Sequence, residues 1–87
     1  MIATSTEIRL RPRSGSSYDV NDVEGFAAWL LRNGCTPERP RSRLEYGRYH
    51  SPRGALIVIY HSAAVVLQGA GIERAKQALQ RFVVEVN

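Results

Sequence analysis

Residues able to do covalent or metal chemistry are few in this chain. Cys35 is its one cysteine, and His50 and His61 are its two histidines. A structural or catalytic zinc site needs three or four ligands in close spacing. Here there is no second cysteine, no C-x-x-C and no clustered carboxylate, so no metal is expected. A Cys–His nucleophilic pair needs the two side chains within hydrogen-bond reach, and nothing in the spacing brings them there. Cys35, just beyond an expected helix end, reads as a small packing residue, and His61, beside an expected turn, as a structural one. Gly69-Ala70-Gly71 stands between a strand and a helix, as the glycines of a dinucleotide loop do. Arg74, however, occupies the third glycine position, and no room follows for an acidic ribose ligand. The run reads as a β-to-α turn whose helix-start amides still suit a phosphate. The expectation is a chain without cofactor, metal or catalysis.

The arginines carry the stronger signal. Among 87 residues, twelve basic side chains face eight acidic ones, giving +4 at pH 7, and eleven of the twelve are arginine. The guanidinium fork suits phosphate and carboxylate alike, so the implied partner is a polyanion or an acidic protein surface. With 44% hydrophobic and 23% charged residues, the composition is that of one globular domain over residues 1–87. A lone cysteine implies no disulfide framework and a reducing compartment. The start MIATSTEIRL lacks the pattern of a signal peptide, and no run is long enough to span a membrane. A cytoplasmic chain with no membrane partner is expected.

The elements that must position these arginines follow from periodicity. Residues 6–12 alternate, with Ile8 and Leu10 on one side and Glu7, Arg9 and Arg11 on the other, as in a half-buried strand ended by Pro12. Ser14-Gly15-Ser16-Ser17 reads as a loop. A helix is expected over 20–33, capped by Asp19 or Asn21, with Val23, Phe26, Ala27, Leu30 and Leu31 as its apolar face, Trp29 off that face, and Asn33-Gly34 closing it. CTPERPRS (35–42) reads as an extended loop. Residues 43–50 read as a strand with Leu44 and Tyr46 on one side and Arg43, Glu45 and Tyr49 on the other. Ser51-Pro52-Arg53-Gly54 is a turn, and residues 55–68 are a tight hairpin turning at Ala63-Ala64. A final helix over 71–84 turns Ile72, Ala75, Leu79, Phe82 and Val83 inward.

The hairpin IVIYHSAAVVLQGAG followed by a helix resembles the repeat of the TATA-box-binding-protein family, where L-I-F-x-S-G-K-x-V-x-x-G-A precedes a long helix. It is also similar to the single-copy N-terminal substrate-binding domain of the ribonuclease HIII family. Val65 to Ala70 is the strongest part of the match, while Ala63-Ala64 replaces the usual Gly-Lys of the turn. The close match covers about a third of the chain; the order strand, helix, three strands, helix extends it in layout. The resemblance implies an α+β fold, a four-stranded antiparallel sheet with two helices on one face, forming a single TATA-box-binding-protein-like unit.

Two helices over one face leave the other open. The covered face should carry Ile8, Leu10, Leu44, Ile57, Ile59, Val65 and Leu67. The open face should carry Arg9, Arg11, Arg43, Tyr49, Leu56, Val58, Tyr60, Val66 and Gln68. In the TATA-box-binding-protein family the open face lies on the DNA minor groove and a hairpin phenylalanine pries base steps apart. By resemblance Tyr60 takes that position, and Val66 and Gln68 take those of groove-contacting residues. The expectation is a small non-catalytic nucleic-acid-binding module. Arg9, Arg11, Arg43 and Tyr60 are its main contacts, with Tyr49, Val58, Val66 and Gln68 in the same face and Arg48 and Arg53 extending the basic rim. The ribonuclease HIII comparison implies a duplex or RNA/DNA hybrid ligand. The alternatives are a regulatory or phage-type inhibitor module docking on an acidic protein, and a homodimer formed through Leu56, Val58 and Val66.

Overall fold

A computed structural model describes residues 7–84. Its centre is an antiparallel meander of β4 (Glu45–His50), β5 (Ala55–Tyr60) and β6 (Ala64–Gly69). Ahead of it in the chain come β1 (Leu10–Pro12), β2 (Ser17–Val20), α1 (Val23–Arg32) and β3 (Thr36–Glu38). Behind it come α2 (Ile72–Leu79) and a 3-10 turn, Gln80–Phe82. The sheet order is β1-β2-β6-β5-β4-β3, antiparallel throughout. The architecture is therefore α+β with two helices on one face, as expected, but the sheet has six strands and not four.

The two added strands explain the difference. Ser17–Val20 was expected to be loop and helix start, yet its alternation places Tyr18 and Val20 in the core while Ser17 and Asp19 face outward. It pairs with β6 through Ser17↔Val66 and Asp19↔Ala64. Thr36–Glu38, inside the expected CTPERPRS loop, pairs with β4 and carries Pro37 at the sheet edge, where a missing N–H is tolerated. Both strands are too short to announce themselves; β2 is held by β6, distant in the sequence, and β3 by the next strand, β4. The expected 6–12 strand is regular only over Leu10–Pro12, and its first position, Thr6, lies outside the described residues. Residues 7–9 are instead tied to Asn21, whose side chain accepts from Arg9 N at 2.7 Å and donates to Glu7 O at 2.7 Å.

α1 begins later than expected because Asp22 is its N-cap, accepting from Gly25 N at 3.0 Å. It closes at Asn33-Gly34 as expected: Gly34 has φ +89, and its N–H and that of Cys35 return to Leu31 O and Leu30 O. Phe26, Ala27 and Leu30 are buried, but Leu31 is 48% exposed. Trp29 packs against the core, stacked on Phe26 and edge-on to Phe82 at 4.8 Å. α2 stops at Leu79, short of the expected residue 84, and its Ala75 and Leu79 are buried. After the 3-10 turn, Val83 bridges Leu10 in parallel. The core is one cluster in which Leu10, Tyr18, Val20, Tyr49, Ile57, Ile59, Val65 and Leu67 of the sheet meet both helices.

Two backbone details set the frame. The β5–β6 turn is a three-residue loop, with Ala63 N donating to Tyr60 O at 2.9 Å and Ala63 at φ +76. This is the position where such loops place glycine. Gly71 is packed so closely on the β4–β5 turn that a Cβ there would stand 2.3 Å from Arg53 O. The Gly69–Gly71 run is thus a close-packing device. Gly71 is the N-cap of α2 and offers no side-chain cap.

Candidate functional site

The helix-free face is ordered by strand register. One row crosses five strands: Ser17, Val66, Val58, Arg48 and Glu38. A second row is Gln68, Leu56, His50 and Thr36. On the other side of the first, Arg11 stands opposite Asp19, Asp19 opposite Ala64, and Tyr60 opposite Glu45.

A β-bulge in β4 decides which side chains of that strand reach this face. The register shifts between Glu45 and Gly47, so Glu45 pairs with Tyr60 while Gly47 already pairs with Ile59. One extra residue turns everything after it to the opposite side. Glu45 stays on the open face, but Tyr49 turns under the helices, where it is buried and its ring lies over Gly47; a Cβ on Gly47 would meet the Tyr49 hydroxyl at 2.7 Å. Tyr49 is therefore not an open-face residue, and burial raises its phenol pKa, with Tyr46 adding to the rise. Arg48 takes its place. Arg43 and Leu44 precede the strand in an exposed turn, and Leu44, expected in the core, is 70% exposed.

Arg48 is not a free cation. It is 8% exposed, with Nη1 at 3.0 Å from Glu45 Oε2 and Nε at 3.3 Å from Glu38 Oε2, the latter too poorly aligned to count as a hydrogen bond. Glu38 also binds the His50 ring through Nε2 and lies 3.6 Å from Arg41. That His50 hydrogen bond holds the Glu38 carboxyl below its ordinary range; burial opposes it, and the neighbouring charges each add a smaller lowering effect. The Arg41 backbone N–H does the same for Glu45, with Arg48 assisting. The network ties the edge strand β3 and the β3–β4 loop to the sheet.

Of the expected contacts, the structure gathers Arg11, Arg48, Val58, Tyr60, Val66 and Gln68 on the open face. Arg9 extends it two positions before Arg11. Tyr60 and Val66 are half-buried and Gln68 is exposed, but Val58 has no exposed surface, so it supports the face without being able to touch a partner. That removes Val58 from the expected homodimer contact as well. Arg43 lies in the β3–β4 loop, beside the sheet rather than in it, and Arg53 lies in the β4–β5 turn. In the sequence Arg39 and Arg41 read as part of an extended loop suited to protein contact and not as nucleic-acid contacts, yet with Arg43 they alternate along Glu38-Arg39-Pro40-Arg41-Ser42-Arg43. Their alternate spacing in a proline-bearing loop was the available signal.

The loop and the β5–β6 turn share one end of the sheet, joined by His61 N donating to Leu44 O at 2.9 Å. Residues 7–9 reach the same end, since Leu10 pairs with Val20 and Val20 N donates to Ala63 O at 2.9 Å. Arginines therefore stand on both flanks of Tyr60. Among the described residues Arg11, Arg39 and Arg43 have no carboxylate within 4.0 Å, and Arg9 has only a loose contact to Glu7 at 3.9 Å. His50, His61 and Cys35 form no cluster with carboxylates able to hold a metal among the described residues. No described helix is long and apolar enough to cross a membrane. Compared with protein-family models, curated proteins and solved structures, the chain finds no match.

Proposed function

We propose that this chain is a non-catalytic nucleic-acid-binding module that uses the helix-free sheet face, with a duplex or RNA/DNA hybrid as ligand. The observation that carries the reading is the pair of arginine flanks around Tyr60: Arg9 and Arg11 beside β1, and Arg39 and Arg43 before β4. Four inter-strand spacings separate β1 from β4, or ~19 Å. That span exceeds the roughly 12 Å width of a B-form major groove, so the two flanks can meet phosphates on either side of one groove. Tyr60, between them, presents a ring for stacking and a hydroxyl for a phosphate or sugar. The order β2-α1-β3-β4-β5-β6-α2 with one open face also supports a single TATA-box-binding-protein-like unit preceded by an extra strand.

A salt-series titration against duplex DNA, RNA/DNA hybrid and single strands tests the reading. Four phosphate contacts give log K against log salt a slope of about −3 to −4. Absence of binding to all three at low salt would overturn it.

A second reading has its own support. Asp19, Glu38 and Glu45 interleave with the arginines of the open face, which weakens its pull on a polyanion. Leu44, meanwhile, stands 70% exposed at the end of an arginine-bearing loop. An apolar anchor rimmed by guanidinium groups fits an acidic protein surface. Loss of partner capture in Leu44→Ser with unchanged nucleic-acid binding would favour it.

A further inference from the structure

We propose that the groove between α1, α2 and the β4–β5 turn binds a small free monocarboxylate with an apolar body. This site lies on the helix-covered side and is independent of the nucleic-acid reading.

The groove has a volume of ≈ 370 Å³, within the ~300–1,000 Å³ typical of small-molecule sites. Its inner surface is apolar, with Leu30, Ile57, Ala75 and Leu79 buried and Trp29 forming a wall. Arg53 and Arg74 line it too, both on exposed positions. Their nearness is built into the backbone: the Arg53 carbonyl abuts Gly71, the N-cap of α2, and Arg74 is the third residue of that helix.

Neither guanidinium has a carboxylate within 4.0 Å among the described residues. Glu73, next to Arg74, reaches Lys76 at 3.9 Å and acts on Tyr18 instead. Cys35 adds a neutral wall, since burial pushes its thiol pKa up. Two cations lining one apolar groove, without an acid to neutralise them, are complementary to one anionic head joined to a hydrocarbon or aromatic body. A bare anion would leave the apolar surface unused, and a neutral hydrocarbon would leave the arginines unpaired.

Trp29 is the only tryptophan of the chain, so its emission reports occupancy directly. The full chain is titrated with decanoate, with decan-1-ol and with acetate. The expected result is a saturable change with decanoate, at least tenfold weaker with either of the other two. Arg53→Ala/Arg74→Ala, on exposed positions, should weaken decanoate at least tenfold, and Ala78→Phe, which fills the groove from its α2 wall, should abolish the response. Equal binding of decan-1-ol, an unchanged affinity in the folded double-arginine variant, or no response to decanoate would each overturn the proposal.

Discussion

Arg48 Nη1 lies 3.0 Å from Glu45 Oε2, although the two residues are three positions apart in one strand. In a regular strand residues i and i+3 point to opposite faces; the bulge between Glu45 and Gly47 puts both on the open face. The pair is buried, so its worth is asymmetric. Arg48→Ala leaves Glu45 desolvated beside a void and should lower the thermal midpoint by about 10 °C or more. Arg48→Met combined with Glu45→Leu should recover most of that loss. Thermal unfolding of the two variants measures the difference, and equal midpoints would show that the pair is not coupled.

Acid should loosen the same region first. Glu38 and Glu45 are held below the ordinary carboxylate range in the folded chain by His50 and by the Arg41 N–H respectively. Groups with depressed folded values contribute stability above the unfolded value, about 4.3, and that contribution disappears as pH falls through the lower folded values. Urea midpoints measured from pH 6 down to pH 2.5 should therefore decline through this window. Glu38→Gln and Glu45→Gln should start lower and decline less; a parallel decline would contradict the assignment.

Ala63 holds φ +76 in a loop where glycine is at ease. Ala63→Gly removes the left-handed strain at some cost in unfolded-state entropy, a net gain of about 0.5–1 kcal/mol. Equilibrium denaturation gives the value, and a loss of stability would show the strain to be relieved elsewhere.

Gly71→Ala should act in the opposite direction. Its Cβ would stand 2.3 Å from Arg53 O and 2.9 Å from Ala55 N, both backbone atoms that no rotamer change can move. The turn or α2 must shift, at a cost of about 3 kcal/mol. The same denaturation series measures it.

The arginine flanks predict a division of labour in binding. Arg9→Ala/Arg11→Ala and Arg39→Ala/Arg43→Ala should each reduce the salt slope by about 2, one unit per lost phosphate contact. Tyr60→Ala should weaken binding by about 1–3 kcal/mol while leaving that slope unchanged. Arg48→Met combined with Glu45→Leu, by contrast, should leave the slope unaltered, because the two charges already satisfy each other. A slope change in that double variant equal to that of the flank variants would mean the ion-pair network opens on the ligand.

Ile8, Leu10, Ile57, Ile59, Val65 and Leu67 follow strict alternation, and Val23, Phe26, Ala27 and Leu30 follow helical spacing. Local periodicity by itself therefore determined the hairpin, the presence of both helices and most of the covered face, though it put Leu44 there in place of Tyr49. The glycine closure of α1 at Asn33-Gly34 was equally legible, because a left-handed cap demands that residue type. β2 and β3 were not: Ser-Tyr-Asp-Val and Thr-Pro-Glu become strands only because β6 and β4 offer them an unpaired edge. The bulge was also invisible, since an extra residue is defined only against a partner strand. It exchanged Tyr49 for Arg48 on the open face and drew Arg48 between two glutamates. The number and types of the charges were thus written in the chain. Tertiary structure decided which of them remain unpaired, because ion pairing depends on distances across strands that sequence neighbours do not fix.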